Sequence, residues 1–284
     1  MLKNGLNILN NSAEFLKFAG DFLYQAEAEN SLLIGFAEGS IKHSPPPAAT
    51  YLCWVKDDNV VSATARFGVG PNYLLLTSSP QLALVDYVNY LAELKIKLSG
   101  VAGPSATSQF FAEKWKLVTS SDMRLGMTQK LYQLDTLIPP RPVAGTIIQA
   151  DESHISILTS WFISFIKETI PHELPSKAEA KVRVEKFISD GRVFVWKVND
   201  SAVAMAFGNR PTKNGITVSY VYTPPENRKN GFASAVTAGT TDYYLKSGKK
   251  FVILYTDAVN PTSNQIYQGI GYYHISDSKL FYFE

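Results

Sequence analysis

Apolar residues in the second half of the chain switch between two periods in a fixed succession. Residues 146–149 alternate as a strand does, and Ile155, Leu158, Trp161, Phe162, Phe165 and Ile166 then fall on one face of a helix. The pattern predicts a second helix over 178–189, ended by Asp190-Gly191, and strands over 193–198 and 202–209 joined by the hairpin-like turn Asn199-Asp200. A further strand over 218–223 stops at Pro224-Pro225. Helical spacing resumes at Phe232 and lasts to Lys246. A strand over 251–255, a short helix opened by Asn260-Pro261 and a last strand complete the order β-α-α-β-β-β-α-β-α-β, a mixed α/β layout.

The first half shows a rougher version of this order. Helices are expected over 12–29, 81–98 and 104–116, with strands over 51–56, 60–66, 73–77 and 101–102. Pro104 precedes Phe110 by the same interval that separates Pro261 from Tyr267, and each pair follows a helix and a short strand. That correspondence reads as a decayed internal repeat. Residues 135–146, DTLIPPRPVAGT, are rich in proline between two patterned regions, which places the boundary between domains 1–140 and 141–284.

Residues 218–234, VSYVYTPPENRKNGFAS, concentrate the candidate chemistry. A strand runs through a turn into a helix, so the main-chain amides around Arg228 to Ala233 lie at a helix N-terminus, where the macrodipole favours negative charge. Gly231 and Ala233 let the backbone approach phosphate oxygens closely, and Arg228 adds charge at the mouth. The stretch is neither a P-loop nor a dinucleotide fingerprint, which need Gly-Lys-Ser/Thr and three spaced glycines respectively. The bland alternative for Arg228 and Lys229 is a solvated charged turn.

The spacing Arg228-x-x-Gly231-x-Ala233, after Val221-Tyr222-Thr223-Pro224-Pro225, resembles the coenzyme A loop of the GNAT superfamily of acyl-CoA N-acyltransferases. The segment 260–275, NPTSNQIYQGIGYYHI, is similar to the superfamily's second signature, in which Asn-Pro opens a short helix carrying a Tyr and Gly-Tyr or Gly-Phe leads into a final strand. The resemblance covers residues 146–284. It implies a GNAT fold for the second half, and a degenerate GNAT-like domain for the first, which has Ser78-Ser79-Pro80 where the loop would stand and is expected to bind no coenzyme.

Acetyl-CoA is the implied acyl donor, with a small-molecule amine or an exposed amino group as acceptor and direct attack in a ternary complex. The implied coenzyme residues are Val221, Tyr222, Thr223, Arg228, Lys229, Asn230, Gly231, Phe232, Ala233 and Ser234, joined by Asn260 and Asn264. Asn260 serves equally well as a helix N-cap before Pro261. Tyr267 stands where the superfamily commonly has a general acid beside the coenzyme sulfur; otherwise it packs helix against sheet. For the general base, Glu173, His172 and Glu168 lie between the first two helices of the second half, with Glu173 the first candidate and a solvated loop the alternative. A catalytically silent acyl-CoA-binding or interaction module is the competing reading of the whole.

Composition narrows the remaining classes. Lys+Arg 27 against Asp+Glu 25 gives a formal charge of +2, which supplies no broad field for nucleic acid or an anionic membrane surface. Cys53, the single cysteine, lies in an apolar strand-like run and reads as core, so no intrachain disulfide forms and a cytoplasmic setting is expected. The N-terminus lacks the continuous apolar core of a secretion signal, and no stretch approaches a membrane span. His43, His154, His172 and His274 are too scattered for a metal site, so no metal is expected. Oligomeric state is not legible.

Overall fold

A computed structural model of the chain describes residues 4–42, 49–67 and 72–284, the side chains of Phe67 and His172 aside. The first half runs β1 (Gly5–Leu9), α1 (Ser12–Gln25), α2 (Ser31–Ile41), β2 (Ala49–Lys56), β3 (Asn59–Phe67), β4 (Tyr73–Leu76), α3 (Gln81–Glu93), β5 (Gly100–Pro104), α4 (Ser105–Thr119) and β6 (Met123–Leu134). The second half runs β7 (Thr146–Gln149), α5 (Ile155–Thr169), α6 (Lys177–Ser189), β8 (Val193–Val198), β9 (Ser201–Asn209), β10 (Gly215–Tyr222), α7 (Phe232–Lys246), β11 (Phe251–Asp257), α8 (Pro261–Gly269) and β12 (Tyr273–Phe283). The two halves repeat one order of elements, and every element expected in the second half is present.

Local chemistry sets the helix starts. Asn11 caps α1, its Oδ1 accepting from the amides of Ala13 at 2.7 Å and Glu14 at 3.2 Å. Ser176 and Glu179 form a reciprocal capping box at the head of α6. The helix expected over 12–29 ends instead at Gln25, and α2, β1 and β6 were not foreseen. α2 escapes a periodicity reading because Ser31-Leu-Leu-Ile-Gly-Phe-Ala is apolar nearly all round, as a helix lodged in a core is. α3 stops at Glu93, five residues before the expected end, where Leu94 and the left-handed Lys95 turn the chain.

The compact units cut across the division at 140/141. One unit contains residues up to Tyr132 together with Tyr255–Asn260 and His274–Glu284; the other contains Gln133–Leu254 and Pro261–Tyr273. Within the first unit the strand order is β1-β2-β3-β4-β5-β12-β6. The final strand of the chain completes that sheet, pairing antiparallel to β5 from Ser278↔Pro104 to Tyr282↔Gly100. Leu84, Tyr87, Leu91, Phe111 and Trp115 from α3 and α4 fill one face, and Phe15, Leu23, Ile34 and Ala37 from α1 and α2 fill the other, against Cys53 on β2. Burial pushes the Cys53 thiol up to about 12, as expected of an inert core cysteine.

In the second unit the order is β11-β10-β9-β8-β7. Leu158, Trp161, Phe162 and Ile166 of α5 and Ala180 and Val184 of α6 cover one face, packing on Val193, Val195, Met205, Phe207 and Tyr222. This layer fixes the strand that carries the candidate site. Phe162 is fully buried, with ring centroids 6.2 Å from Phe207 and 4.8 Å from Tyr220. Phe162→Ala is expected to cost about 3–5 kcal/mol of stability by leaving a cavity, read as a lower urea midpoint; a cost under about 1 kcal/mol would mean that the layer closes over the gap.

Candidate functional site

The site begins where two parallel strands stop pairing. β10 and β11 are in register at Gly215↔Phe251, Ile216↔Val252 and Thr217↔Ile253, and the ladder ends there. On its other edge β10 pairs antiparallel with β9, but the register slips between Ser219↔Phe207 and Tyr222↔Met205, so two residues oppose one. This β-bulge bends the strand and sharpens its twist. At its centre Tyr220 takes a φ of 51°, a left-handed conformation that a bulky residue adopts only when its surroundings impose it. Those surroundings are aromatic: the Tyr220 ring lies 4.8 Å from Phe162, 5.5 Å from Phe165 and Phe207, and 6.1 Å from Phe187.

On either side of the bulge the buried hydroxyls of Ser219 and Thr223 have no hydrogen-bond partner. Each such group costs on the order of 1–3 kcal/mol relative to a satisfied one. A strand edge released from its ladder, with polar groups along it, can accept an extended ligand by main-chain pairing.

A short 3-10 turn, Pro225–Asn227, follows β10. The amides of Asn227 and Arg228 are used within it, donating to the carbonyls of Pro224 at 2.9 Å and Pro225 at 3.3 Å. Arg228 therefore supplies no free amide, which narrows the sequence expectation. From Lys229 to Ser234 no amide reaches a protein acceptor among the described residues, and the next, Ala235, donates to Gly231 at 3.0 Å. Lys229 at φ 66° and Gly231 at φ 80° fold the main chain on itself ahead of α7, the geometry that converges successive N–H groups into an anion nest. Gly231 is required twice over: its φ is left-handed, and a Cβ there would come 3.0 Å from Val143. Asn230 serves the loop itself, its Nδ2 donating to the carbonyls of Asn227 and Arg228.

The Arg228 guanidinium is also committed. Its Nη2 donates to both carboxylate oxygens of Glu168, at 2.9 and 2.8 Å, its Nε donates to the carbonyl of Thr223 at 2.9 Å, and the group stands 5.6 Å from the Tyr222 ring centroid. The Tyr222 hydroxyl donates to Glu168 Oε1 at 3.2 Å. Burial, and then the Glu168 charge, hold the Tyr222 phenol above its ordinary range. Tyr222 thus faces the protein with its side chain and offers a ligand only its main chain. Nothing in the sequence pattern linked Glu168 to Arg228, 60 positions away.

Tyr267 lies on α8, its ring edge-on to Tyr272 at 6.1 Å. The Tyr272 hydroxyl is tied to Thr241 at 2.7 Å, whereas that of Tyr267 makes no hydrogen bond among the described residues. Burial alone pushes the Tyr267 phenol up to about 12, which keeps its proton in place through the neutral range. Asn260 begins the turn into α8, its amide donating to Asp257 at 3.1 Å, and Asn264 lies on the first half of that helix.

Glu173 is exposed in the turn Pro171–Glu173 between α5 and α6, its amide donating to Ile170 at 2.9 Å. His172 shares that turn. His154 precedes α5, its Nδ1 2.8 Å from Asp151 Oδ1, and so is a helix-start residue. His43 lies outside the described residues. Among the described residues no cluster of His, Cys, Asp and Glu fits a metal ion, and no helix is long and apolar enough to cross a membrane.

No family model and no curated protein sequence matches the chain. Solved structures do. A Drosophila protein superposes with a TM-score of 0.70 over 99% of both chains at 10% identity. A GCN5-related N-acetyltransferase from Sphaerobacter thermophilus gives 0.63 over 99% of this chain and 96% of that one at 12% identity. A tandem GNAT protein from the clavulanic acid biosynthesis pathway gives 0.58 over 98% of both at 11% identity. The chain has the GNAT fold, and the likeness to a tandem member extends over nearly its whole length.

Tyr267 yields a direct test. Because burial raises its pKa, the folded state holds the neutral phenol; the stabilisation is complete below about pH 10, where an unfolded tyrosine titrates, and is lost as pH rises through about 12. In protein labelled with 13C at the tyrosine Cζ, the resonance missing from Tyr267→Phe is expected to show no ionisation shift at about pH 10.5. A half-ionised signal there would place the phenol in water.

Proposed function

We propose that the chain is an acetyl-CoA-dependent N-acetyltransferase that acetylates the primary amine of a small molecule or an exposed amino group. The observation that carries this reading is the run of unsatisfied amides from Lys229 to Ser234 beside the unpaired edge of β10. The GNAT fold supports it. In this assignment the amides of Lys229, Asn230, Gly231, Phe232, Ala233 and Ser234 hold the coenzyme diphosphate, with the dipole of α7 adding to the attraction. The main chain of Val221, Tyr222 and Thr223 holds the pantetheine arm as an added strand, and Asn260 and Asn264 are assigned to the coenzyme as well.

Acetyl-CoA supplies an activated acyl carbonyl. The chain's own groups manage charge and protons around it. A main-chain amide of β10 faces the carbonyl oxygen, and such a donor is worth about 3 kcal/mol as negative charge develops. Tyr267 donates its proton to the departing sulfur, a role for which a neutral phenol with no internal hydrogen bond is suited. The amine must lose a proton to attack. We assign that proton to Glu173, the first candidate from the sequence, in the turn between α5 and α6.

The first half is assigned no coenzyme. In the first unit a Cβ on Gly103 would stand 2.8 Å from the Leu76 carbonyl oxygen, so β5 packs tightly against the end of β4 there. The single buried cysteine accords with the cytoplasmic setting that belongs to the same proposal.

Acetyl-CoA at a hundredfold excess over its Kd is expected to stabilise the protein by about 2.7 kcal/mol, seen as a higher Tm. Ala233→Asp puts a carboxylate on the first turn of α7, where it favours the helix but repels the diphosphate. It should leave the unliganded Tm unchanged or slightly raised and abolish the coenzyme shift. No shift in the unmodified protein would remove the assignment.

Release of free thiol in an amine-library screen is expected to fall at least about tenfold in kcat in Tyr267→Phe, with KM unchanged. Equal kcat in both proteins would leave Tyr267 structural. Coenzyme binding with no turnover on any amine would indicate a silent binding module.

A further inference from the structure

The carboxylate of Glu168 stands at the wrong end of its helix. It lies one residue before the last of α5, where the macrodipole repels negative charge, and no Lys or Arg of its own helix is shown paired with it. What holds it is Arg228, from the loop, by a two-pronged contact at 2.9 and 2.8 Å, reinforced by the Tyr222 hydroxyl at 3.2 Å. Tyr222 is in turn fixed by burial against Trp161, their rings 6.4 Å apart. Arg228 spends Nε on Thr223, the last residue before the prolines, and Nη2 on Glu168, while Nη1 reaches no acceptor among the described residues. One side chain thereby joins the end of β10, the head of the turn and the last turn of α5.

We propose that Glu168 is a positioning residue for the anion loop, and that Arg228 acts through it as a rivet instead of as a direct ligand of the phosphates. The pair fixes where the chain leaves β10, and hence where the amides from Lys229 onward point. This rests on the coenzyme reading of the loop and changes it in one respect: the cation that the sequence placed at the mouth serves the protein, and the anion is held by main chain and dipole alone.

Exchanging the charges tests the proposal. In Glu168→Arg and in Arg228→Glu the rivet is lost and like charges face each other; in the double variant an ion pair can reform with the opposite polarity. Coenzyme A titrated by calorimetry is expected to bind each single variant at least about tenfold more weakly and the double variant within about threefold of the unmodified protein, with the change in turnover appearing in KM for acetyl-CoA and not in kcat. Double-variant binding as weak as that of Arg228→Glu would show that Arg228 touches the ligand and overturn the proposal. So would single variants that bind normally.

A ligand-free readout separates this outcome from failure of the coenzyme reading. Hydrogen exchange of the Asn227 and Arg228 amides, both bonded within the turn, should accelerate at least about tenfold in the milder Glu168→Gln and Arg228→Gln and recover in the charge-exchanged protein. Unchanged exchange in those variants would contradict the rivet even where no coenzyme binds.

Discussion

A helix cannot satisfy the N–H groups of its own first turn, and the account of this protein depends on how α7 leaves its own exposed. Asn11 closes that end of α1 with its side chain and Ser176 that of α6, whereas α2, α3, α4, α5 and α7 have no side-chain cap. Gly231 at the head of α7 has no side chain to offer, and the left-handed turns at Lys229 and Gly231 aim the free amides outward together. The strand before them completes the arrangement, since the bulge at Tyr220 turns β10 off its parallel neighbour at the point where the loop begins. Ladder release, proline stop and open helix head are consecutive along the chain.

The first half shows the same order of elements with Ser78-Ser79-Pro80 ahead of its third helix, where the second half has the run from Arg228 to Ala233. Gly103 stands against Leu76, its carbonyl accepts from Ser108 and Ser278 hydroxyls, and Thr77 returns hydrogen bonds to Ala63. The contrast separates fold from site: the element order recurs in both halves, whereas the open helix head depends on a few residues between a strand and a helix.

Much of this was legible in the sequence, and the parts that were not share a cause. Pro224-Pro225, Gly231 and the apolar spacing from Phe232 are local signals, and they placed the turn and α7 correctly. The Asn260-Pro261 start of α8 was equally plain. The bulge was not, because Tyr220 carries no local preference for a positive φ; the aromatic cage of Phe162, Phe165, Phe187 and Phe207 imposes it, and that cage exists only after folding. The contact of Arg228 with Glu168 was hidden for the same reason, its partner lying on another helix. β12 illustrates a third limit: its strand character was readable, but its pairing with β5 of the first unit was not, since no pattern within a strand names its neighbour.

Amide chemical shifts of the 15N-labelled protein during a coenzyme A titration bear most directly on the central claim. Convergence of the Lys229–Ser234 amides on a diphosphate predicts that these resonances move downfield together, saturate with a single affinity, and shift more than the already bonded amides of Asn227 and Arg228. Saturable binding that leaves those resonances in place while others move would contradict the account.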